Sequence, residues 1–165
     1  MLPVMGRRHA HSRNRRGSSV VEISLLLPWI CFLFVGAFDW GFYAHALISV
    51  ESAARVASVY AAGTASGQVS QSEACTLVLD ELKIVANVQG LASCTGTLSA
   101  TQPVILTVTC PAPTSSLDSL NYVQVAVEYQ TVNLIPIPGI LPGITTLYRV
   151  AAMPMKGNHT CTVVS

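Results

Sequence analysis

The sequence predicts an α+β protein with a long N-terminal transmembrane helix. The helix would continue into a small extracytoplasmic domain with a second helix and a three- to four-stranded antiparallel sheet. Three observations predict this class. Residues 20–48 form an apolar run without Lys or Arg, residues 72–88 show helical apolar spacing, and residues 103–155 contain stretches rich in Val, Ile, Thr and Tyr. Only 10% of the 165 residues are charged, against about a quarter in an average soluble domain.

Residues 1–17 are a basic leader without an acidic residue, and they hold five of the nine basic residues of the chain. Residues 18–165 carry four basic and eight acidic residues, a net charge of −4. A basic head before an apolar span follows the positive-inside pattern, in which the head stays in the cytoplasm and the remainder is exported. An arginine-rich arm for nucleic acid is the competing interpretation, but the leader is short and abuts the span, so we expect no nucleic-acid partner.

A single helix is predicted over residues 18–62. The 19 residues of 20–38 rise about 1.5 Å each, which comes close to the roughly 30 Å of a bilayer's hydrocarbon core. Beyond the span, small apolar residues recur at spacings of three and four, which predicts a packed stripe on one face. The members of this stripe are Ala46, Val50, Ala53, Ala54, Ala57 and Ala61.

Residues 63–165 form the predicted extracytoplasmic domain. A polar loop leads to a helix near Ser72 to Val88, with Ser72 as its expected cap. Strands are predicted at 103–110, 122–132 and 145–155, and a weaker one at 93–100. The apolar loop "NLIPIPGILPG" (133–143) contains three prolines, which exclude a helix or an internal strand. It is either a sticky surface patch or part of the core.

The cysteines fit export to an oxidising compartment. Four of the five lie beyond the span and predict two disulfides, with three connectivities left open. They are Cys75, Cys94, Cys110 and Cys161. No CxxC pair and no zinc-like spacing with His is present, so no metal and no other cofactor is expected.

The glutamate inside the apolar run, Glu22, admits three interpretations. In a cleaved secretory signal peptide it would be discarded, but the apolar run is too long for one. In a plain signal anchor it would be incidental, because a charge near the interface costs less than one at the bilayer centre. In the third, Gly17 and Glu22 belong together: "RRGSSVVE" resembles the processing site of type IV prepilins, where a basic leader and Gly precede an apolar helix with Glu at its fifth position.

The resemblance extends over residues 15–62, which are similar to the TadE-like minor pilins (pseudopilins) of the tight-adherence, or Flp type IVb, pilus system. Residues 123–156 resemble the tail of that family more loosely. The matching features of the first segment are Glu22, Leu25 to Pro28, Asp39, Gly41, Phe42, Tyr43 and Ala53 to Arg55.

This resemblance implies that a prepilin peptidase cuts between Gly17 and Ser18 and removes the five leader arginines. Glu22 would then pair with the new amino group of Ser18 or of a neighbouring subunit and set the stagger between helices. The implied partners are the peptidase, the major pilin and other minor pilins. The implied location is the bacterial inner membrane, with the N-terminus cytoplasmic, a single pass and the C-terminal domain outside, or within the pilus.

Pro28 and Asp39 have a structural as well as an assembly interpretation. Pro28 removes one backbone hydrogen bond and costs about 3 kcal/mol in an ordinary helix interior. It is either a kink that the membrane tolerates or a weak point that lets the helix leave the bilayer. Asp39 marks the outer interface, where we expect its carboxylate to reach water.

No enzyme is predicted. The sequence lacks a P-loop, a G-x-G-x-x-G after a strand and a G-x-S-x-G elbow, so no small-molecule substrate is expected. The runner-up function is a permanently signal-anchored envelope protein whose exterior domain binds or scaffolds a partner. An exported soluble binding module comes third.

Overall fold

The computed structural model describes residues 18–64, 66–111, 121–132, 143–155 and 160–164. Its elements are, in order, helix α1 (Ser18–Gly63), strand β1 (Gln68–Ser70), helix α2 (Gln71–Leu82) and strands β2 (Val104–Thr109), β3 (Tyr122–Gln130), β4 (Thr146–Pro154) and β5 (Thr162–Val164). The predicted α+β class is confirmed. The proline-rich stretch at 133–142 lies outside the described residues.

The chain divides into two compact units after Phe38, and this boundary falls inside α1. In the first unit, every side chain of α1 from Ser19 to Phe38 is exposed, with Gly36 half-buried. Large apolar side chains make up most of this surface, and Trp29 and Phe34 are 69% and 77% exposed. The sequence suggests domain boundaries between residues 17 and 18 and between residues 62 and 63, and these remain predictions.

In the second unit, α1 packs through the predicted stripe of small residues. All six members, from Ala46 to Ala61, are buried, and they belong to one hydrophobic core with residues of α2 and of β1 to β4. Alanine side chains permit close approach of helix backbones to neighbouring elements, which explains why this face carries so few large residues. The prediction of a packed stripe is therefore confirmed.

Helix α2 is shorter than predicted. Its N-cap is Ser70 instead of Ser72, and the Ser70 hydroxyl accepts a hydrogen bond of 3.3 Å from the backbone N–H of Glu73. The helix ends at Leu82 instead of Val88. The backbone of Asn87 has φ of 69°, a left-handed conformation that a continuing helix does not contain.

Three strands form the main sheet, in the order β2-β3-β4, with both pairs antiparallel. The alternation predicted for β3 is confirmed, because Val123, Val125, Val127 and Tyr129 are buried while the residues between them are half-buried. The strands predicted at 103–110, 122–132 and 145–155 are each present within one or two residues of the expected ends.

The weaker strand predicted at 93–100 is absent from the described structure. Ser99 and Gln102 exchange backbone hydrogen bonds of 3.0 and 3.2 Å, which closes a turn there. Cys94 still reaches the sheet through one bond, since its carbonyl accepts from the N–H of Leu106 at 2.9 Å. A single bond at one position is enough to anchor this segment without making it a strand.

Sequence patterning missed a second small sheet. β1 and β5 pair in parallel, with Gln68 opposite Thr162 and Ser70 opposite Val164. Each strand has three residues, too few for alternation to be recognised, and β1 lies in a stretch that the sequence suggests is a polar loop. The pairing brings the C-terminal segment beside the start of α2.

Candidate processing and assembly site

The residues proposed for processing lie at the start of α1. Gly17 is outside the described residues, and α1 is described from Ser18 onward. Glu22 is exposed on the first turns of the helix, amid apolar side chains that are also exposed. Close by, the Ser24 hydroxyl donates a 2.8 Å hydrogen bond to the carbonyl of Val21. A backbone carbonyl of the same helix therefore satisfies the Ser24 hydroxyl without water, as apolar surroundings require.

Pro28 lies inside α1, and the helix continues on both sides of it. Because proline has no backbone N–H, the carbonyl of Ser24 lacks the donor that an ordinary residue at position 28 would supply. The position is thus a built-in weak point in the hydrogen-bond ladder of the exposed segment.

The surface of residues 19–38 is suited to an apolar solvent. Large apolar side chains cover the helix on all sides, whereas a helix at the surface of a soluble domain has a polar face. The helix is long and apolar enough to span a membrane and is the candidate span among the described residues.

Asp39 differs from the sequence-based expectation. Its residue is only 4% exposed, and its Oδ2 atom accepts no hydrogen bond from the described part of the chain. The expected contact with water is therefore wrong for this isolated chain. Burying a carboxylate oxygen without a donor is costly, so this side chain lies in an unfavourable environment in the isolated chain.

Polar contacts join α1 to α2 in the second unit. The Ser52 hydroxyl donates to Glu81 Oε1 at 2.7 Å, and the Tyr60 hydroxyl donates to Glu73. On the far side of α2, Gln71 Nε2 donates to the carbonyl of Leu106 in β2 at 3.1 Å. These bonds fix α2 between the helix and the sheet.

Deeper in the same unit, the hydroxyl of Tyr129 donates a 2.8 Å hydrogen bond to the carbonyl of Ala86. Burial raises the pKa of Tyr129 from 10.0 to about 12, because the anionic form would lose its hydration. Tyr129 therefore ties β3 to the segment that follows α2 and remains protonated at neutral pH.

The structure joins the four cysteines that follow α1 in two disulfides. Cys75 of α2 is bonded to Cys94, and Cys110, directly after β2, is bonded to Cys161, directly before β5. The Cα atoms are 5.7 Å apart in each pair, within the usual range for disulfides. This selects one of the three connectivities that the sequence left open.

Across the described ranges, no group of three or more His, Cys, Asp and Glu side chains could hold a metal ion. His45 is exposed on α1, and His159 falls outside the described residues.

Among the residues proposed from the sequence, Glu22, Pro28 and Asp39 all lie on α1, but the first two belong to the unit before Phe38 and Asp39 to the unit after it. Sequence reasoning missed the burial of Asp39, because burial depends on what packs against a position and an acid after an apolar run resembles an interface residue.

A comparison with protein families matches residues 17–58 to the model described as TadE-like protein. No curated protein and no solved structure shows significant similarity to the chain. Proteins of the TadE-like family are structural components of a pilus system and are not enzymes. The suspected resemblance is thus confirmed: this chain carries a TadE-like domain at residues 17–58, which supports a membrane-associated protein of the tight-adherence pilus.

Proposed function

We propose that this chain is a TadE-like minor pilin that a prepilin peptidase processes between Gly17 and Ser18. It would then act in the assembly of a tight-adherence pilus with the major pilin and other minor pilins. One observation carries the proposal: the TadE-like match begins at Gly17 and covers the helix segment whose apolar side chains are exposed on all sides. Such a surface needs a bilayer first and a bundle of similar helices afterwards.

The leader supplies the topology before it is removed. Its five arginines favour the cytoplasmic side, which directs residues 39–165 to the exterior of the inner membrane. The two disulfides support that direction, because disulfides persist in oxidising compartments. Removal of the leader would also remove the charge that holds the helix at the cytoplasmic face, which would allow the helix to leave the bilayer during assembly.

Cutting after Gly17 would create an amino group on Ser18, four residues before Glu22. In apolar surroundings a carboxylate is stabilised by a cation that also donates hydrogen bonds. The Ser18 ammonium of the same or a neighbouring subunit provides one at a fixed height along the helix. Helix packing tolerates sliding along the axis, whereas an ion pair at one height does not, so the pair would set the stagger of subunits.

Pro28 and Asp39 complete the assembly residues in this proposal. The missing hydrogen bond at Pro28 lowers the cost of local unwinding when the helix leaves the bilayer. Asp39 has a buried carboxylate oxygen without a donor in the described structure, and if its side chain turned outward during assembly, a donor from another pilus subunit would satisfy it.

The first experiment identifies the N-terminus of the protein in the membranes of its own cell by mass spectrometry. A processed pilin begins at Ser18 and lacks the leader. A chain that retains Met1 and all five leader arginines would overturn processing and favour the permanently anchored envelope protein. A terminus near residue 47 would instead favour the exported soluble module.

The second experiment replaces Glu22 with alanine in the same cell. Cutting should continue, since the Gly17–Ser18 bond is unchanged, but piliation should be lost because the cationic partner has no carboxylate to meet. Ile23→Ala is the matched control, since it shortens the adjacent side chain of the same helix and should leave piliation intact. Normal piliation in Glu22→Ala would remove the ion-pair account.

A further inference from the structure

Three large apolar side chains of the second unit remain exposed although they come from separate parts of the chain. Phe42 of α1 is 44% exposed, Ile84 after α2 is 73% exposed and Ile144 before β4 is 52% exposed. Val85 and Val88 are buried, so the segment after α2 points Ile84 outward while its neighbours enter the core. One exposed apolar residue is ordinary on a protein surface, but a group of them indicates an interaction site.

The three positions lie at the same end of the second unit. Phe42, Ile84 and Thr131 line one small cavity. Thr131 is tied to Thr145 by two hydrogen bonds of 2.9 Å, in which the N–H of Thr131 donates to the carbonyl of Thr145 and the N–H of Thr145 donates to Thr131 Oγ1. Ile144 directly precedes Thr145, so it belongs to the same end. We call Phe42, Ile84 and Ile144 the Ile84 face.

The position of Phe42 along α1 gives the level of this face relative to the candidate membrane span. The exposed apolar segment of α1 ends at Phe38, and Phe42 follows four residues later in the same helix. Four helical residues rise about 6 Å. The headgroup region on each side of the hydrocarbon core is about 5–8 Å thick. Phe42 is therefore at the level of the headgroups, and a tilt of the helix only brings it closer to the hydrocarbon core.

An aromatic pair on α1 supports the same level. The ring centroids of Trp40 and Tyr43 are 5.9 Å apart, and Trp40 is 62% exposed. Tryptophan and tyrosine are enriched where a membrane meets water, because their rings have an apolar body and a polar group that hydrogen-bonds. The residues of α1 beside the Ile84 face are thus typical of a membrane interface.

The charges near Ile84 do not oppose contact with lipid. Lys83 Nζ lies 2.8 Å from Asp80 Oδ1, so the two side chains are neutral as a pair. Both are exposed, and a lysine at this level can also extend its ammonium group towards lipid phosphates. Glu81 faces the other way, since its Oε1 accepts a hydrogen bond from the Ser52 hydroxyl at 2.7 Å.

We propose that the Ile84 face rests on the outer interface of the bilayer that α1 crosses, with the Ile84 side chain inserted among the headgroups and the first carbons of the acyl chains. The partner is a lipid surface that binds by burial of apolar side chains, not by recognition of one headgroup. The inference rests on the membrane span in the proposed function, and it does not depend on whether the leader is cut.

Fluorescence quenching in vesicles tests this contact with the full-length protein. Ile84→Cys in a Cys31→Ser background carries one reactive thiol, because the other four cysteines are disulfide-bonded. The thiol is labelled with a fluorophore, and the protein is reconstituted into phosphatidylcholine vesicles that contain lipid with a nitroxide near its headgroup. We expect the label at position 84 to lose most of its fluorescence. A label that is not quenched would overturn the proposal.

Val59→Cys in the same background is the matched control. Val59 is an apolar residue of α1 that is 57% exposed, and it lies about 25 Å farther along the helix than Phe42. Its label should keep its fluorescence in the same vesicles. Equal quenching at positions 59 and 84 would overturn the proposal, because it would show that the bilayer does not contact one end of the second unit in particular.

The native Cys31 separates failure of this contact from failure of the span. Cys31 is exposed within the apolar segment of α1, and its label should be quenched most by lipid with a nitroxide at the end of the acyl chain. Quenching at position 31 without quenching at position 84 would overturn the contact and leave the span intact. Absence of quenching at position 31 would overturn the span itself, and with it the proposed function.

A charge substitution tests whether Ile84 anchors the face. A label at Ile144→Cys should also be quenched by the headgroup nitroxide. Adding Ile84→Glu to that chain should reduce the quenching, because a carboxylate does not insert among apolar chains. Val59→Glu makes a similar change away from the face and should leave the quenching unchanged. Full quenching in the Ile84→Glu chain would show that Ile84 does not hold the domain on the lipid.

Discussion

The two halves of helix α1 show how one continuous helix can serve two surroundings. Residues 19–38 are mostly large, apolar and exposed, whereas the buried face of residues 46–61 consists of five alanines, two serines and one valine. Both halves are apolar in composition, so hydropathy alone does not separate them. The difference lies in side-chain size and periodicity: small residues at helical spacing allow close packing in a protein core, and large residues on all sides require lipid or other helices.

Introducing a charged residue should give the largest difference between the two halves of α1, measured as membrane association. Ile30→Arg places a charge near the middle of the exposed segment and should cost about 3 kcal/mol of membrane insertion. The share of protein that resists alkaline extraction from membranes should therefore fall. Val56→Arg makes a similar change at a partly exposed position of the second half and should leave extraction unchanged. Equal behaviour of the two variants would contradict the assignment of the span.

Larger side chains should have the opposite effect, because they should destabilise the second half of α1 and be tolerated in the first half. Ala57 is fully buried, so Ala57→Leu overpacks the core and should lower the free energy of unfolding by about 1–3 kcal/mol. Ala37→Leu, the same change at an exposed position of the first half, should stay within about 0.5 kcal/mol. Denaturant titration of the micelle-bound protein measures both, and a stable Ala57→Leu variant would show that the stripe is loosely packed.

A substitution at Tyr129 tests the stability of the core to which the second half of α1 contributes. Tyr129→Phe removes the hydrogen bond to Ala86 and should cost about 1 kcal/mol at neutral pH. The native state also keeps the phenolic proton above pH 10.0, where the unfolded state releases it. The stabilisation is complete below pH 10.0 and is lost as the pH rises through about 12.

The wild-type free energy of unfolding should therefore fall with pH across that window, and Tyr129→Phe should lack this part of the slope. Tyr148→Phe, at an exposed tyrosine, is the control and should keep it. An unchanged slope in Tyr129→Phe would assign the alkaline transition to another group.

Substitutions on the solvent-exposed face of the second half of α1 should change the free energy of unfolding least. Arg55 and Glu51 form an exposed salt bridge of 2.7 Å one helical turn apart. Arg55→Ala should cost at most about 0.5 kcal/mol in a denaturant titration, because water and salt screen such pairs. A loss above 1 kcal/mol would show that the charged face, and not the alanine stripe alone, holds the helix in place.

Several elements were predictable because their pattern is local. The alanine stripe and the alternation of β3 repeat over enough residues to exceed chance, and both are buried as predicted. The N-terminal segment was recognisable because it combines a basic leader, Gly17, Glu22 and Pro28 in one order, and residues 17–58 match the TadE-like family.

Other features depend on how distant segments meet. The cysteine pairing follows from the path of the chain, so spacing could not choose between three connectivities. β1 and β5 are too short to be recognised before they pair. The N-cap shifts from Ser72 to Ser70 because either serine could cap, and only the geometry of the preceding strand decides between them.

The bond between Cys110 and Cys161 encloses β3 and β4 within a covalent loop of chain. A protease that cleaves one peptide bond anywhere between these residues therefore releases no fragment while the bond is oxidised. The nicked protein would migrate as a single species until a reductant separates its pieces. Proteolytic damage in this loop therefore stays tethered and does not release a strand of the main sheet.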